Sequence, residues 1–484
     1  MGWLRDRFRS WLEILPVENG GLGLSIFSEQ DFEREVFRNK IWYRGNAGEL
    51  AQLYAMSDDL VGNRSFWAAG GASAGIRKLH SGLPALIVDT LGDIAVNDLI
   101  GVRVSEEGES VGGQELWDAI ALENNFGRLL LRAVRKALAL GDGAFKISFD
   151  EGVSDYPIIE FFGADKVRFE YSRGRIEKVV FLRNVGGGGG RGRGDYLLEE
   201  IYGACGIDYR LIDGRGDEVS LAGAGSEAVK GLVPVKHTLG MNLAVPLIFD
   251  ENPRFEGRGR SIFDSKIGAF DALDEVLSQW IDALRDGRAQ KYIPVGLLPR
   301  NPKTGEVMGL GVFESRFIQT EMDMAEGADN SIKVVQPGID TAALAESCAN
   351  YLTFALQGIV APATLGIDLK RRDNAEAQRE KEKATMYTRG KLVAVLREVV
   401  GRLAVVALAA HDAFHNKAKV ARSVAVEFGE YAAPNFESQI ETVGKGRQMG
   451  VMSIENAVEQ LYGNTWSKEQ KAEEVARIRA EARG

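Results

Sequence analysis

Cysteine is nearly missing from this chain: 484 residues carry only Cys205 and Cys348, with no CxxC pair. That argues against a disulfide framework and against a cysteine zinc site, and it suits a reducing cytoplasm. Histidine is scarce too, with four residues. A basic excess is also lacking, since 59 Lys and Arg face 69 Asp and Glu for a formal net charge of -10. Tight grip on nucleic acid usually needs such an excess, because neutralising phosphates drives that binding. The chain either ignores DNA or handles it without holding it. No secretory signal opens the sequence: MGWLRDRFRSWLEILP is amphipathic and charged, without an apolar h-region or a small-residue cleavage site. The longest charge-free apolar stretch, Ser347 to Ile367, contains Asn350, Gln357, Gly358 and Pro362. It is a poor membrane span and reads as a buried helix followed by a loop.

What is present describes a folded chain of several subdomains, 45% hydrophobic and 26% charged. Phe32, Val36, Phe37 and Ile41 fall at helical spacing, Gly45-Asn46 breaks the pattern, and a second helix follows around Leu50, Leu53 and Tyr54. Leu83 to Val88 is an extended entry into a helix, and Asn125 to Leu140 is amphipathic and stopped by Gly141-Asp142-Gly143. The period then shortens to that of strands in Phe145 to Phe149, Tyr156 to Phe162, Lys166 to Tyr171 and Ile176 to Arg183. The glycine run Gly186 to Gly190 reads as a hairpin tip. Ser261 is the expected N-cap of a long helix with Asp264 three residues on. Its apolar stripe is Phe263, Ile267, Phe270, Leu273, Leu277, Ile281 and Leu284. Residues 290–339 form a compact β segment, and Asp340 begins a second helix to about Gly358. A loop from Ala361-Pro362 reaches about Asp373. A very long helix to about Phe414, a strand Ser423 to Phe428 and a helical tail follow.

Catalytic motifs are weak. His411 and His415 place two imidazoles one turn apart, a zinc-protease pattern with Asp412 where Glu belongs and no third ligand nearby. The glycine run and Gly444-Lys445-Gly446 both fail the P-loop pattern. Glu199-Glu200 and Asp58-Asp59 are ordinary as solvated acidic pairs. Trp42-Tyr43 and Phe66-Trp67 sit in apolar contexts that favour core or subunit-interface packing over base stacking. Lys370-Arg371-Arg372 is a tight basic run at the start of the long helix, where cations oppose the macrodipole.

The sequence resembles the portal proteins of tailed bacteriophages, of the long-tailed siphophage type. The strongest match is Pro362-Ala363-Thr364-Leu365-Gly366 followed by Arg371 to Glu380. Ile41 to Gly45, Leu79 to Pro84, Tyr156 to Glu160, Ala433-Pro434-Asn435 and Gly450 to Glu455 add to it. The resemblance implies an α+β portal fold. Its wing would be residues 1–260 and 375–434, and its paired stem helices 261–289 and 340–360. The clip would be 290–339, the tunnel loop 361–374 and a helical crown 435–484. It implies no enzyme and no cofactor, but a homo-oligomeric ring of twelve at the capsid vertex of the virion, assembled in the host bacterial cytoplasm. Double-stranded DNA would pass without sequence readout. The terminase large subunit, major capsid and scaffolding proteins and a head-completion or adaptor protein would dock. Lys370, Arg371 and Arg372 would face the DNA channel, and Phe263, Ile267, Phe270, Leu277 and Ile281 would lie at the stem's subunit interface. The rival readings are another virion structural subunit, such as a minor capsid or adaptor protein, and a metal-dependent hydrolase using His411 and His415.

Overall fold

The computed structural model describes residues 29–56, 65–68, 76–106, 112–185, 196–223, 227–288, 290–294, 302–305, 317–320, 331–336, 338–367, 375–417, 420–429, 436–462 and 466–481. They build an α+β protein in two compact units, residues 1–427 and 428–484.

In the first unit, helices α1 (Glu29–Arg44), α2 (Ala47–Met56) and α3 (Leu83–Asn97) come first. Pro84 sits in the first turn of α3, where its missing N–H costs nothing. Strand β1 (Leu99–Glu106) and helix α4 (Gly113–Glu123) follow, and sequence spacing marked neither. Helix α5 (Phe126–Leu140) buries nine residues, among them Leu130, Val134 and Leu138. It packs on β2 (Asp142–Ser148) and β3 (Ile158–Gly163). β2 is the middle strand of a three-stranded antiparallel sheet with β10 (Ala244–Ile248). Six of its seven residues are buried, including the charged Asp142 and Lys146.

The second sheet is an antiparallel meander of β4 (Val167–Ser172), β5 (Arg175–Val185), β6 (Tyr196–Gly203), β7 (Gly206–Ile212) and β8 (Glu218–Val219). A one-turn helix, α6 (Glu227–Lys230), follows, and β9 (Val235–Lys236) pairs with β7. The expected glycine hairpin tip lies outside the described residues; the strand ends on either side of it pair, Val185 with Tyr196.

At one junction two backbones nearly touch. A Cβ on Gly259 would lie 2.2 Å from the Gly141 carbonyl oxygen, so only glycine fits there. Beside it the buried Asp142 carboxylate takes two 2.9 Å hydrogen bonds from Arg258 and one of 2.8 Å from the Gly259 N–H. The Arg258 guanidinium also lies 4.0 Å from the Phe32 ring centroid.

Helices α7 (Ile267–Asp286), α8 (Thr341–Leu356) and α9 (Ala375–Phe414) complete the frame. α9 packs on β2, β10, α3 and α4, and Leu396, Val400 and Leu403 are fully buried. Strand β14 (Arg422–Phe428) returns to pair with β1. The second unit contains α10 (Phe436–Gln448), α11 (Ile454–Tyr462) and α12 (Lys468–Glu481), with Val443, Ala457 and Val458 buried. No helix among the described residues is long and apolar enough to cross a membrane.

Candidate functional site

The mid-chain segment is an antiparallel helical hairpin that carries a small sheet. At its base Lys266 Nζ donates to the Phe354 carbonyl at 3.0 Å, which joins the start of α7 to the end of α8. At its tip Gly287 lies beneath Ile339, where a Cβ would come 2.0 Å from the isoleucine Cδ1. The Asp340 carboxylate caps α8 by accepting from the Ala343 N–H at 3.0 Å, as its position in the sequence predicts. Between the helices β11 (Gln290–Pro294) pairs in parallel with β12 (Phe317–Thr320) and antiparallel with β13 (Lys333–Val335).

The start of the first helix differs from expectation. α7 opens at Ile267 after a 3-10 turn, Asp264–Lys266. Ser261 does not cap it: its hydroxyl donates to the Leu138 carbonyl at 3.2 Å. Asp264 is held instead by Arg38 and, at 2.8 Å, by Arg254.

Acidic residues on α7 tie the base of the hairpin to the N-terminal segments. Asp271 accepts from the Ser65 hydroxyl at 3.0 Å and from the Phe66 and Trp67 N–H groups at 2.8 and 3.3 Å. Burial raises its carboxyl above the ordinary aspartate range, against the pull of those donors. Asp274 accepts from Trp67 Nε1 at 3.2 Å and the Ser81 N–H at 2.8 Å, and His80 Nδ1 lies 2.7 Å away. Ser278 accepts from the Leu79 N–H at 2.9 Å. Trp42, Phe66 and Trp67 are buried around this network, in agreement with their apolar contexts. The sequence signal was available: Asp271, Asp274 and Ser278 interrupt the apolar side of a helix at spacings of three and four.

The hairpin's two halves differ. Phe263 and Phe270 are fully buried within the subunit, Phe270 against Trp42 with ring centroids 6.1 Å apart. A side chain with no exposed surface has nothing to offer a neighbouring subunit, so these two belong to the subunit core rather than to an interface. Ile267, Leu277 and Ile281 are half-buried, and Leu284 is exposed. α8, expected to be buried, is not: only Ala355 and Leu356 are buried, while Tyr351 and Phe354 are 40% and 55% exposed.

Behind α8 the chain is pinned before it reaches the basic run. The Ala361 N–H donates to Thr385 Oγ1 at 2.9 Å, and Thr388 Oγ1 donates to the Ile359 carbonyl at 2.6 Å. Pro362–Leu365 form a 3-10 turn closed by Gly366 at φ +72°. Lys370, Arg371 and Arg372 lie outside the described residues, as does Asp58-Asp59.

His411 is buried at the end of α9, and its ring lies 4.4 Å from that of His415. Burial lowers its pKa, with His415 and Lys417 pushing the same way against Asp412. Asp412 is paired with Arg422, and His415 Nε2 lies 3.3 Å from the Asp155 carbonyl. Among the described residues no group of three or more His, Cys, Asp or Glu is placed to hold a metal ion. Glu199 and Glu200 are not a solvated pair. As strand neighbours they point to opposite faces of β6, and both are buried. Glu199 meets Arg168 at 3.0 Å and Arg210 at 3.2 Å, whereas Glu200 meets Lys146 at 3.3 Å.

No family model matches the chain. No curated protein matches it either. Similar solved structures come from gene transfer agent particles, each at 13% identity and TM-score 0.35. One is the virion of a native gene transfer agent particle, covering 81% of this chain and 89% of that chain. Another is the neck of a native particle computed with C12 symmetry, covering 78% and 89%. A third is the neck of an empty particle computed with C6 symmetry, covering 76% and 90%.

Proposed function

We propose that the chain is the subunit of a closed portal ring at a tailed-phage capsid vertex, through which double-stranded DNA enters during packaging and leaves at ejection. In this reading it is a structural subunit without catalysis, resident in the virion. It assembles in the host cytoplasm and docks the packaging terminase and head-completion proteins. The hairpin α7–α8 is the stem, the β11–β13 sheet is the clip, and the segment after Gly366, with Lys370, Arg371 and Arg372, is the tunnel loop.

The observation that carries the reading is the uncovered helix α8. Its sequence TAALAESCANYLTFAL has one charged residue, Glu346, yet the single chain buries only its last two residues and leaves nine of the sixteen exposed. A surface helix of a finished protein keeps its outer face polar. Full burial of a large apolar side chain stabilises by about 1.5–3 kcal/mol. Neighbouring copies in a ring would give Tyr351, Phe354 and Leu284 that burial. A contact of this kind, between different faces of adjacent subunits, closes into a ring when the rotation between copies allows it. The resemblance of Pro362 to Gly366 and Arg371 to Glu380 to the family's loop and helix supports the same assignment. Negative-stain electron microscopy of the purified protein tests it. Closed rings with a central opening are expected; monomers, or dimers with twofold symmetry, at high protein concentration would overturn it.

A further inference from the structure

The charge of this acidic chain is unevenly spread. On α5 the cations Arg128, Arg132 and Lys136 follow one another at four-residue intervals, about 6 Å apart along the axis. Arg128 and Arg132 are exposed, and the opposite face of the helix is fixed by its buried residues. Beside Lys136 lie Lys166 from the 3-10 turn Ala164–Lys166 and Lys40 from α1. Among the described residues the carboxylate that acts on Lys136 is Asp165, and Lys40 Nζ occupies it at 2.7 Å. No described carboxylate pairs with Arg128, Arg132, Lys136 or Lys166, whereas Arg135 on the same helix is met by Asp89 and Asp93 at 3.5 and 2.6 Å. Burial holds the Lys136 ammonium below the ordinary lysine range, and repulsion from Lys166, Lys40 and Arg132 adds to it against Asp165. Such a cluster is short of negative charge from outside.

We infer that this row on α5, with Lys40 and Lys166 beside it, is a landing surface for the phosphate backbone of duplex DNA, without base readout. A line of cations at regular intervals on a rigid helix suits a continuous polyanion better than one small anion. None of these side chains offers an aromatic face, so unpaired bases gain nothing here. The acidic remainder of the subunit confines the contact to this surface. The site does not include the expected tunnel-loop cations Lys370, Arg371 and Arg372 and does not depend on ring formation.

The test is fluorescence anisotropy of the full-length protein with a labelled duplex. Neutralising three to four phosphates predicts log K falling with a slope of about -3 against log salt between about 50 and 200 mM. The triple variant Arg128→Glu, Arg132→Glu, Lys166→Glu changes groups with no folded-state partner among the described residues. It leaves in place Lys136, whose stem covers Gly163. It should bind at least about tenfold more weakly at the lower salt with unchanged circular dichroism. The variant Lys370→Ala, Arg371→Ala, Arg372→Ala should keep most of the binding. Equal affinity of the triple Glu variant and the wild type, or no measurable binding by the wild type, overturns the proposal. So does competition by polyglutamate as strong as by unlabelled duplex, which would assign the surface to an acidic protein. Rings without DNA binding would sink this inference alone; DNA binding without rings would sink only the portal reading.

Discussion

Helices α5 and α8 are nearly equal in length and both rich in apolar residues, yet the subunit treats them in opposite ways. α5 has arginines and a lysine on one face, and its apolar residues occupy the other, where the chain covers nine of them. α8 has almost no charge on any face, and the chain covers two residues at its base. A helix with an apolar stripe needs one partner layer, whereas a helix apolar all round needs surroundings. α5 therefore has its apolar face covered in the monomer, whereas α8 keeps nine of its sixteen residues exposed. The same division runs through α7. Its first half, with Phe270, Leu273, Asp274 and Ser278, is sealed into the subunit, and no residue beyond Ser278 is buried in the single chain.

The comparison fails first if α5 does not dominate the subunit's own stability. Leu130 is fully buried. Leu130→Ala should cost about 2–5 kcal/mol of unfolding free energy, because it leaves a cavity in a layer that cannot collapse. Urea denaturation at low protein concentration measures this. A loss below about 1 kcal/mol would mean that the first unit does not fold around this helix.

The sharper test is on α8. Tyr351→Asp with Phe354→Asp should cost the subunit no more than about 1 kcal/mol per site, since both rings are only partly covered within the chain, Phe354 with Lys266 Nζ 4.9 Å from its ring centroid. The same pair should abolish assembly, because each Asp would carry an unpaired charge into an apolar contact. Mass photometry reads the assembly, and the urea midpoint reads the fold. Phe270→Asp is the contrasting change: it should lower the urea midpoint itself, because it buries a charge in the subunit core. If Phe270→Asp left a stable monomer that fails only to assemble, the division of α7 into an inner and an outer half would be wrong.

Much of this was legible in sequence, and the rest was hidden for particular reasons. The helical periods of Asn125 to Leu140 and Leu392 to Val406 were visible because each helix meets one layer. Asp340 marked the start of α8, and its carboxylate caps that helix. Ser261 misled because a serine before an apolar stripe also suits a turn, and here its hydroxyl is spent on Leu138. Strand β1 escaped notice because its partner β14 lies more than 300 residues away in sequence, and such pairing leaves no local signature. Glu199-Glu200 looked like a solvated pair because the cations that hold it, Arg168, Arg210 and Lys146, come from three other strands. The apolarity of Ser347 to Ile367 reads as a buried helix, yet in the single chain most of α8 is exposed.

The smallest expected effect belongs to the enclosed end of α9. His411 is covered by its own subunit, with its ring stacked 6.1 Å from Tyr156, so its titration should follow folding and ignore assembly. Its pKa is lowered in the folded state by burial, with His415 and Lys417 adding to the shift. The folded protein therefore binds fewer protons than the unfolded chain just below the ordinary histidine value of about 6.5. Stability rises with pH through that window and is lost as the pH falls through it. His237 shifts in the same direction through burial and contributes a slope of the same sign. His411→Gln should remove part of the rise in urea midpoint between about pH 5.5 and 7.5 and leave the His237 part. The removed part should be equal for the assembling protein and for the Tyr351→Asp, Phe354→Asp monomer. If it vanished in the monomer, the imidazole would be buried by a neighbouring subunit, and the end of α9 would join α8 among the surfaces that assembly completes. An unchanged slope in His411→Gln would show that the acid sensitivity arises at other groups.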